Sequence, residues 1–190
     1  MPGPVVERGD RVTFRTVERE DAAFRQRAVT DPRVRHPLGM GRHRSEREAE
    51  DLVEAMDEGG DRLAYVVCLD AADAPRGRPD DDETTPLGLV HAYDVDSERA
   101  HLAYWLLPEY HGEGYGREAA AMLVDRAFET ASVHSVSAAA FAHNEASRGL
   151  LESLGFVEEF RRREASYVDG AYRDVVEYGL LRREWQEQSF

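Results

Sequence analysis

Hydrophobic positions along the chain fall into short apolar runs separated by amphipathic stretches, and their periods predict alternating strands and helices. Residues 11–16 alternate through Val12, Phe14 and Thr16, as a strand does. Glu18 to about Val29 reads as a helix, stopped at Asp31-Pro32 because the residue before proline is pushed out of the helical region. Ser45-Glu-Arg-Glu48 forms a capping box for a second helix, with Ala49, Leu52, Val53 and Met56 on one face and Gly59-Gly60 as its end. Residues 63–69 and 87–93 are buried-type strands. A fourth strand, about 99–107, puts His101, Ala103, Trp105 and Leu107 on one face and Leu102, Tyr104 and Leu106 on the other.

The C-terminal half continues in the same manner. Tyr115, Ala119, Met122, Leu123 and Ala127 make the stripe of a helix lasting to about Thr130, and 135–141 is a fifth strand. Asn144 is a good N-cap for a helix with Ser147, Leu150, Leu151 and Leu154 on one face, closed by Gly155-Phe156. Residues 157–167 and 171–181 flank Asp169-Gly170, a strong short hairpin signal. Two segments lack such patterns. Residues 70–86 carry six acidic residues and three prolines, which predicts a long mobile hairpin loop within a single domain spanning 1–190. Residues 35–44 form a basic, glycine-containing loop, read either as a solvated connector or as a substrate entrance.

Chemistry concentrates where the fourth strand meets the next helix. Gly112, Gly114 and Gly116 follow Pro108 at every second position and precede the amphipathic pattern. Glycine permits φ > 0 and close approach to the main chain, and the first turn of a helix offers unpaired N–H groups at the positive end of its dipole. The stretch therefore predicts a pyrophosphate cradle. The dinucleotide fingerprint G-x-G-x-x-G would need glycine where Arg117 stands, and no G-K-[ST] of a P-loop is present.

The run Tyr104-Trp-Leu-Leu-Pro-Glu-Tyr-His-Gly-Glu-Gly-Tyr-Gly resembles the Q/R-x-x-G-x-G/A signature of the GNAT acetyltransferases, in the form of the RimJ/RimL-type branch, with His111 at the first motif position. Asn-x-x-Ser-x-x-x-Leu-x-x-Leu-Gly-Phe from Asn144 to Phe156 is similar to the second GNAT motif. The resemblance covers nearly the whole chain. It implies an α/β (α+β) fold with a mixed, mostly antiparallel central sheet of about seven strands, splayed between strands 4 and 5 and flanked by four helices. It also implies acetyl-CoA as cosubstrate. Backbone groups of Trp105, Leu106 and Leu107 would meet pantetheine and polarise the thioester, and His111, Gly112, Glu113, Gly114, Tyr115, Gly116 and Arg117 would meet the pyrophosphate. Asn144 and Ser147 would complete the cosubstrate site. Many relatives carry a tyrosine at the place of Leu151 to protonate the departing thiolate; Ser147, one turn earlier on the same face, is the natural substitute, with a second capping role as the alternative.

Composition narrows the setting. The 190 residues include 38 acidic and 24 basic ones, every basic one an arginine, for a net charge of −14. Such a lysine-free acidic surface looks like adaptation to a salt-filled cytoplasm, where a Debye length of about 3 Å at 1 M salt would screen repulsion from anionic CoA. It argues against nucleic acid as a partner. No apolar run reaches a membrane-spanning length, so a cytoplasmic protein, monomer or homodimer, is expected. Cys68 sits inside an apolar run and reads as a core residue, and the seven histidines show no zinc spacing, so no metal is expected.

The implied reaction is direct acetyl transfer to a neutral amine, which needs a base. His101 matches the strand position where several GNAT enzymes place a catalytic glutamate, and imidazole titrates in the required range. A structural histidine is the alternative, and Glu109 and His91 are weaker candidates. An α-amine with pKa near 7.8 is neutral about 10% of the time at pH 7, whereas a lysine amine is disfavoured by about 3.5 kcal/mol. A weakly basic site therefore favours a peptide or protein N-terminus, ahead of a small-molecule amine. A degenerate domain that senses acyl-CoA without transfer is the reading from a different class, supported by Leu151.

Overall fold

The computed structural model describes residues 2–57 and 60–188. Its strands are β1 (Val5–Arg8), β2 (Thr13–Thr16), β3 (Arg62–Asp70), β4 (Thr84–Tyr93), β5 (Arg99–Leu106), β6 (Ser135–Phe141), β7 (Val157–Val168) and β8 (Ala171–Leu181). Its helices are α1 (Ala22–Thr30), α2 (Pro32–Arg35), α3 (Glu46–Asp57), α4 (Tyr115–Thr130), α5 (Glu145–Ser153) and α6 (Arg182–Glu187), with 3₁₀ turns at Arg19–Asp21 and Pro108–Tyr110. One sheet runs in the order β1-β2-β3-β4-β5-β6-β8-β7, and only β5–β6 is parallel.

The architecture is the expected one with more pieces: among the described residues there are eight strands where about seven were expected and six helices where four were. The extra strand, β1, pairs with β2 and is too short to show a period of its own. The extra helices, α2 and α6, are single turns for the same reason. The capping box at Ser45 forms reciprocally: Ser45 N donates to Glu48 Oε2 at 2.9 Å and Glu48 N donates to Ser45 Oγ at 3.3 Å. The stop expected at Gly59 lies outside the described residues. Asp169 and Gly170 take φ of 50° and 73°, the primed turn that matches strand twist.

The two faces of the sheet carry different layers. On one, α4 and α5 bury Leu123, Val124 and Leu151 against Leu102 and Leu106 in the main core. On the other, α1 and α2 pack Ala28 and Val34 against Leu89, Trp105 and Leu107. Cys68 is fully buried and burial pushes its thiol up to about 12, which makes it inert core.

The acidic linker is shorter than the 70–86 expected, because Asp70 and 84–86 belong to strands. The remainder is tied down by polar bonds where apolar burial is lacking. Arg15, wholly buried, forks onto Asp70 at 3.0 and 2.9 Å and donates to the carbonyls of Pro75 at 3.0 Å and Gly77 at 2.9 Å. Composition hid this, since the anchor lies some 60 residues upstream in β2.

Candidate functional site

β5 parts from β6 because each strand is held elsewhere. β5 stays paired with β4 as far as Leu106, and β6 with β8 as far as Phe141, but the two meet only from Arg99↔Ser135 to Leu102↔Ala138. Beyond that rung a V opens. In an antiparallel pair, alternate residues exchange both hydrogen bonds with one neighbour. Leu107 N donates to Leu87 O at 2.8 Å, so Leu107 and Trp105 spend their backbone groups on β4. The intervening Tyr104 and Leu106 turn theirs toward β6, which has already diverged. By the same rule, the bond from Ala142 N to Asp174 O leaves Ala139 facing the V from the other side. The backbone contact expected across Trp105, Leu106 and Leu107 is therefore narrowed to Leu106, with Tyr104 added.

A cleft of about 1200 Å³ passes through this opening and joins the two faces of the sheet. At one end are Gly112, Gly114, Gly116 and Arg117; at the other are Arg33, Val34, Pro37, Leu38, Gly39 and residues of β7 and β8. The three consecutive alanines 138–140 line the V between them. Alanine is a poor strand former, and a run of it in a buried strand is the signal of close approach that the hydrophobic pattern alone did not register.

The glycine turn forms as expected at two of its three glycines. Gly112 and Gly114 have φ of 84° and 85°, and a Cβ on Gly112 would point into open space. Gly116 is helical instead: a Cβ there would meet Leu150 Cδ1 at 3.4 Å and Leu106 Cδ1 at 3.6 Å, ordinary contact distances, so the fold itself does not require glycine at this position. Gly114 is the N-cap of α4, so the amides of Tyr115, Gly116 and Arg117 are the first-turn donors without intrahelical acceptors. Arg11 braces the turn from outside, donating to Glu113 O at 2.8 Å, pairing with Glu118 at 3.2 Å and lying over the Tyr115 ring at 4.9 Å. Glu113, Tyr115 and Leu107 are outside the cleft wall.

The remaining expected cosubstrate residues are near the cleft but engaged within the protein. His111 turns back and its Nε2 lies 3.0 Å from Leu106 O. Arg117 reaches Ser153, with Nε 3.2 Å from Oγ. Asn144 caps α5, its Oδ1 accepting from Ser147 N at 3.2 Å. Ser147 also faces a residue that the sequence reading passed over. Its Oγ is 3.0 Å from Tyr104 Oη, and burial pushes that phenol up to about 12, so Tyr104 holds its proton. Alternation places Tyr104 on the face of Leu102 and Leu106, yet only the packing of α5 on that face brings the two hydroxyls together. Leu151 is 1% exposed in the main core, away from the cleft.

Of the candidate bases, the structure places only His101 in the cleft. Its Nδ1 is 2.7 Å from Ser137 Oγ, its Nε2 is 3.9 Å from Asp94, and its ring stacks on Tyr93 at 5.2 Å. His91 lies on the same sheet face, but burial, with the charges of Arg25 and Arg62, lowers it to about 4, too weak a base for an amine. Glu109 is held at the surface by Arg27 at 2.9 Å. The 35–44 loop divides: Pro37, Leu38 and Gly39 line the cleft, while Arg42 and Arg44 pair with Glu48 of α3. Only the first half of the loop is therefore placed where a substrate entrance would require it.

Comparison with known proteins agrees with this geometry. The acetyltransferase (GNAT) domain family matches residues 11–157. The Bacillus subtilis protein YdaF, provisionally named a ribosomal N-acetyltransferase, is 37% identical over 101 residues, 52% of this chain and 55% of its own length, so the match spans about half of that relative. Among solved structures, Vibrio cholerae spermidine N-acetyltransferase in complex with CoA and spermine superposes with a TM-score of 0.81 at 22% identity, over 94% of this chain and all of that one. Mycobacterium smegmatis RimJ in complex with CoA-disulfide gives 0.75 at 25% identity, over 100% of this chain and 89% of that one. The chain belongs to the GNAT acetyltransferase family.

Proposed function

We propose that this protein is an acetyl-CoA-dependent N-acetyltransferase acting on a primary amine, with a peptide or protein N-terminus as the leading acceptor and a small-molecule amine as the second. One observation carries the reading: a single cleft joins the glycine turn and open β5 edge on one sheet face to His101 on the other. The residues present fit a long ligand with an anionic head. Gly112 leaves open space, the α4 amides point outward, and small alanines line the V. Acetyl-CoA would supply the activated acyl group as a thioester, and the named relatives and neighbours of this family support that choice.

The protein's own groups then have distinct tasks. The first-turn amides of α4 and Arg117 hold phosphate. Leu106 and Tyr104 offer backbone N–H groups where negative charge develops on a carbonyl oxygen. His101 takes the proton from the attacking amine, and Ser137 beside Nδ1 fixes its ring. The Ser147 hydroxyl, backed by Tyr104, delivers a proton to the departing sulfur. Binding both partners in one cleft makes the transfer effectively unimolecular.

Incubation with acetyl-CoA at high salt, following thiol release over a panel of amines, tests this. Turnover with at least one amine is expected, and none with any amine overturns it. Tight CoA binding without transfer would favour the sensor reading, for which Leu151 in the core is the supporting observation.

A further inference from the structure

The end of the cleft beyond His101 has a composition that selects among amines. Its wall there is apolar and aromatic, with Val34, Leu38, Trp105, Phe141 and Phe160. Phe160 is 52% exposed and Tyr93, beside His101, 38%; large rings left open to solvent in a pocket mark a place for an apolar group. The only carboxylates in the cleft wall among the described residues are Glu159 and Glu177. Both are already matched. Arg99 Nη2 holds Glu159 Oε1 at 2.6 Å, and Arg162 pairs with Glu177. Of the four arginines in the wall, Arg99 and Arg162 hold those two glutamates, Arg33 pairs with Asp31 at 2.6 Å, and Arg117 stands at the opposite, glycine-turn end.

From this composition we infer that the acceptor is a singly charged primary amine carried on an apolar group of about aromatic size, and that polyamines are rejected. A polyamine would bring two or more ammonium groups to an apolar and aromatic wall whose two glutamates are already held by arginines; Asp94, 3.9 Å from His101, can meet the reacting nitrogen but leaves the further ammonium without a partner. An amine on an apolar group puts its nitrogen at His101 and its body between Phe160 and Trp105. That chemistry belongs equally to an arylalkylamine and to a peptide whose first side chain is apolar. The inference rests on the proposed transferase reading and names the acceptor within it.

The test compares 2-phenylethylamine, a Phe-initiated tripeptide, a Gly-initiated tripeptide, ethylamine and spermidine by kcat/KM. Burying a ring predicts a preference of roughly 10- to 100-fold for the first two over the rest, and which of those two leads identifies the source. Phe160→Glu, at an exposed position, should erase the preference, and Arg162→Gln, which frees Glu177, should raise spermidine turnover. Calorimetric titration of 2-phenylethylamine and spermidine into the protein with CoA bound gives a second readout. Binding of the first and not the second supports the inference even if no amine is turned over, the result that defeats the transferase reading alone. Equal or better use of spermidine, ethylamine or the Gly peptide overturns it, as does an absence of both 2-phenylethylamine binding and turnover.

Discussion

The two ends of the cleft are built from different material. The glycine-turn end is made chiefly of main chain from one contiguous stretch, the end of β5 and the start of α4, whose first-turn amides lack intrahelical acceptors. The far end is made of side chains from four separate places: Arg33–Gly39, the β4–β5 pair, the end of β6, and the β7–β8 hairpin. Even its enclosure is assembled from remote parts, since His36 Nδ1 comes within 3.6 Å of Asp169 in the hairpin turn. A main-chain site varies little when side chains change, which suits a ligand shared across a family. A side-chain site can be refitted position by position, which suits an acceptor that differs between members.

The largest effect should come from attacking the main-chain end. Gly114→Val puts a Cβ at φ 85°, 2.9 Å from Arg11 Nη2. We expect CoA affinity by calorimetry to fall by roughly 100-fold, since left-handed strain and displacement of the Arg11 brace would together move the turn at a cost of about 2–3 kcal/mol. Affinity within threefold of the parent would show that the turn is not the cradle.

Of the same order is His101→Ala, expected to lower kcat/KM by roughly 100-fold at pH 7. The loss should shrink toward pH 9, where more of the amine is already neutral. An equal loss across that range would remove His101 as the base while leaving the main-chain end untouched.

His91 sharpens the contrast, because it lies on the acceptor face yet is assigned no chemistry. With its folded pKa near 4 against 6.5 unfolded, the unfolded chain takes the proton first. Stability is therefore full above about pH 6.5 and declines as pH falls toward 4, by about 2 kcal/mol between pH 7 and 5. His91→Leu should flatten that part of the urea-midpoint profile and leave the pH dependence of turnover unchanged; a shifted rate profile would return His91 to the mechanism.

The smallest effect is expected at the hydroxyl pair. Tyr104→Phe and Ser147→Ala should each lower kcat by roughly tenfold with KM for the amine little changed, and the double variant should lose little more, as for groups that act as a unit. Additive losses would separate the two residues.

Much of the main-chain end was legible in advance. Glycine at 112 and 114, Pro108 before them and the amphipathic run after them are local instructions, and the turn follows them. Gly116 shows the limit of that reading, since it sits inside the first turn of α4 with no positive φ and room for a Cβ at ordinary contact with Leu150. The hairpin turn and the Ser45 capping box were legible for the same local reason. Arg15 was not: an arginine in a strand gives no sign that a distant acidic loop will close around it.

By itself the sequence determined the order and type of the long elements, the glycine cradle and the family, because period, caps and turns act over a few residues. Tertiary structure decided which backbone edge is open, which histidine lines the cleft, the meeting of Tyr104 with Ser147, and the pairing of Glu159 and Glu177 with arginines. Each of these depends on where strands diverge or cross, and that is set by the packing of segments far apart in the chain.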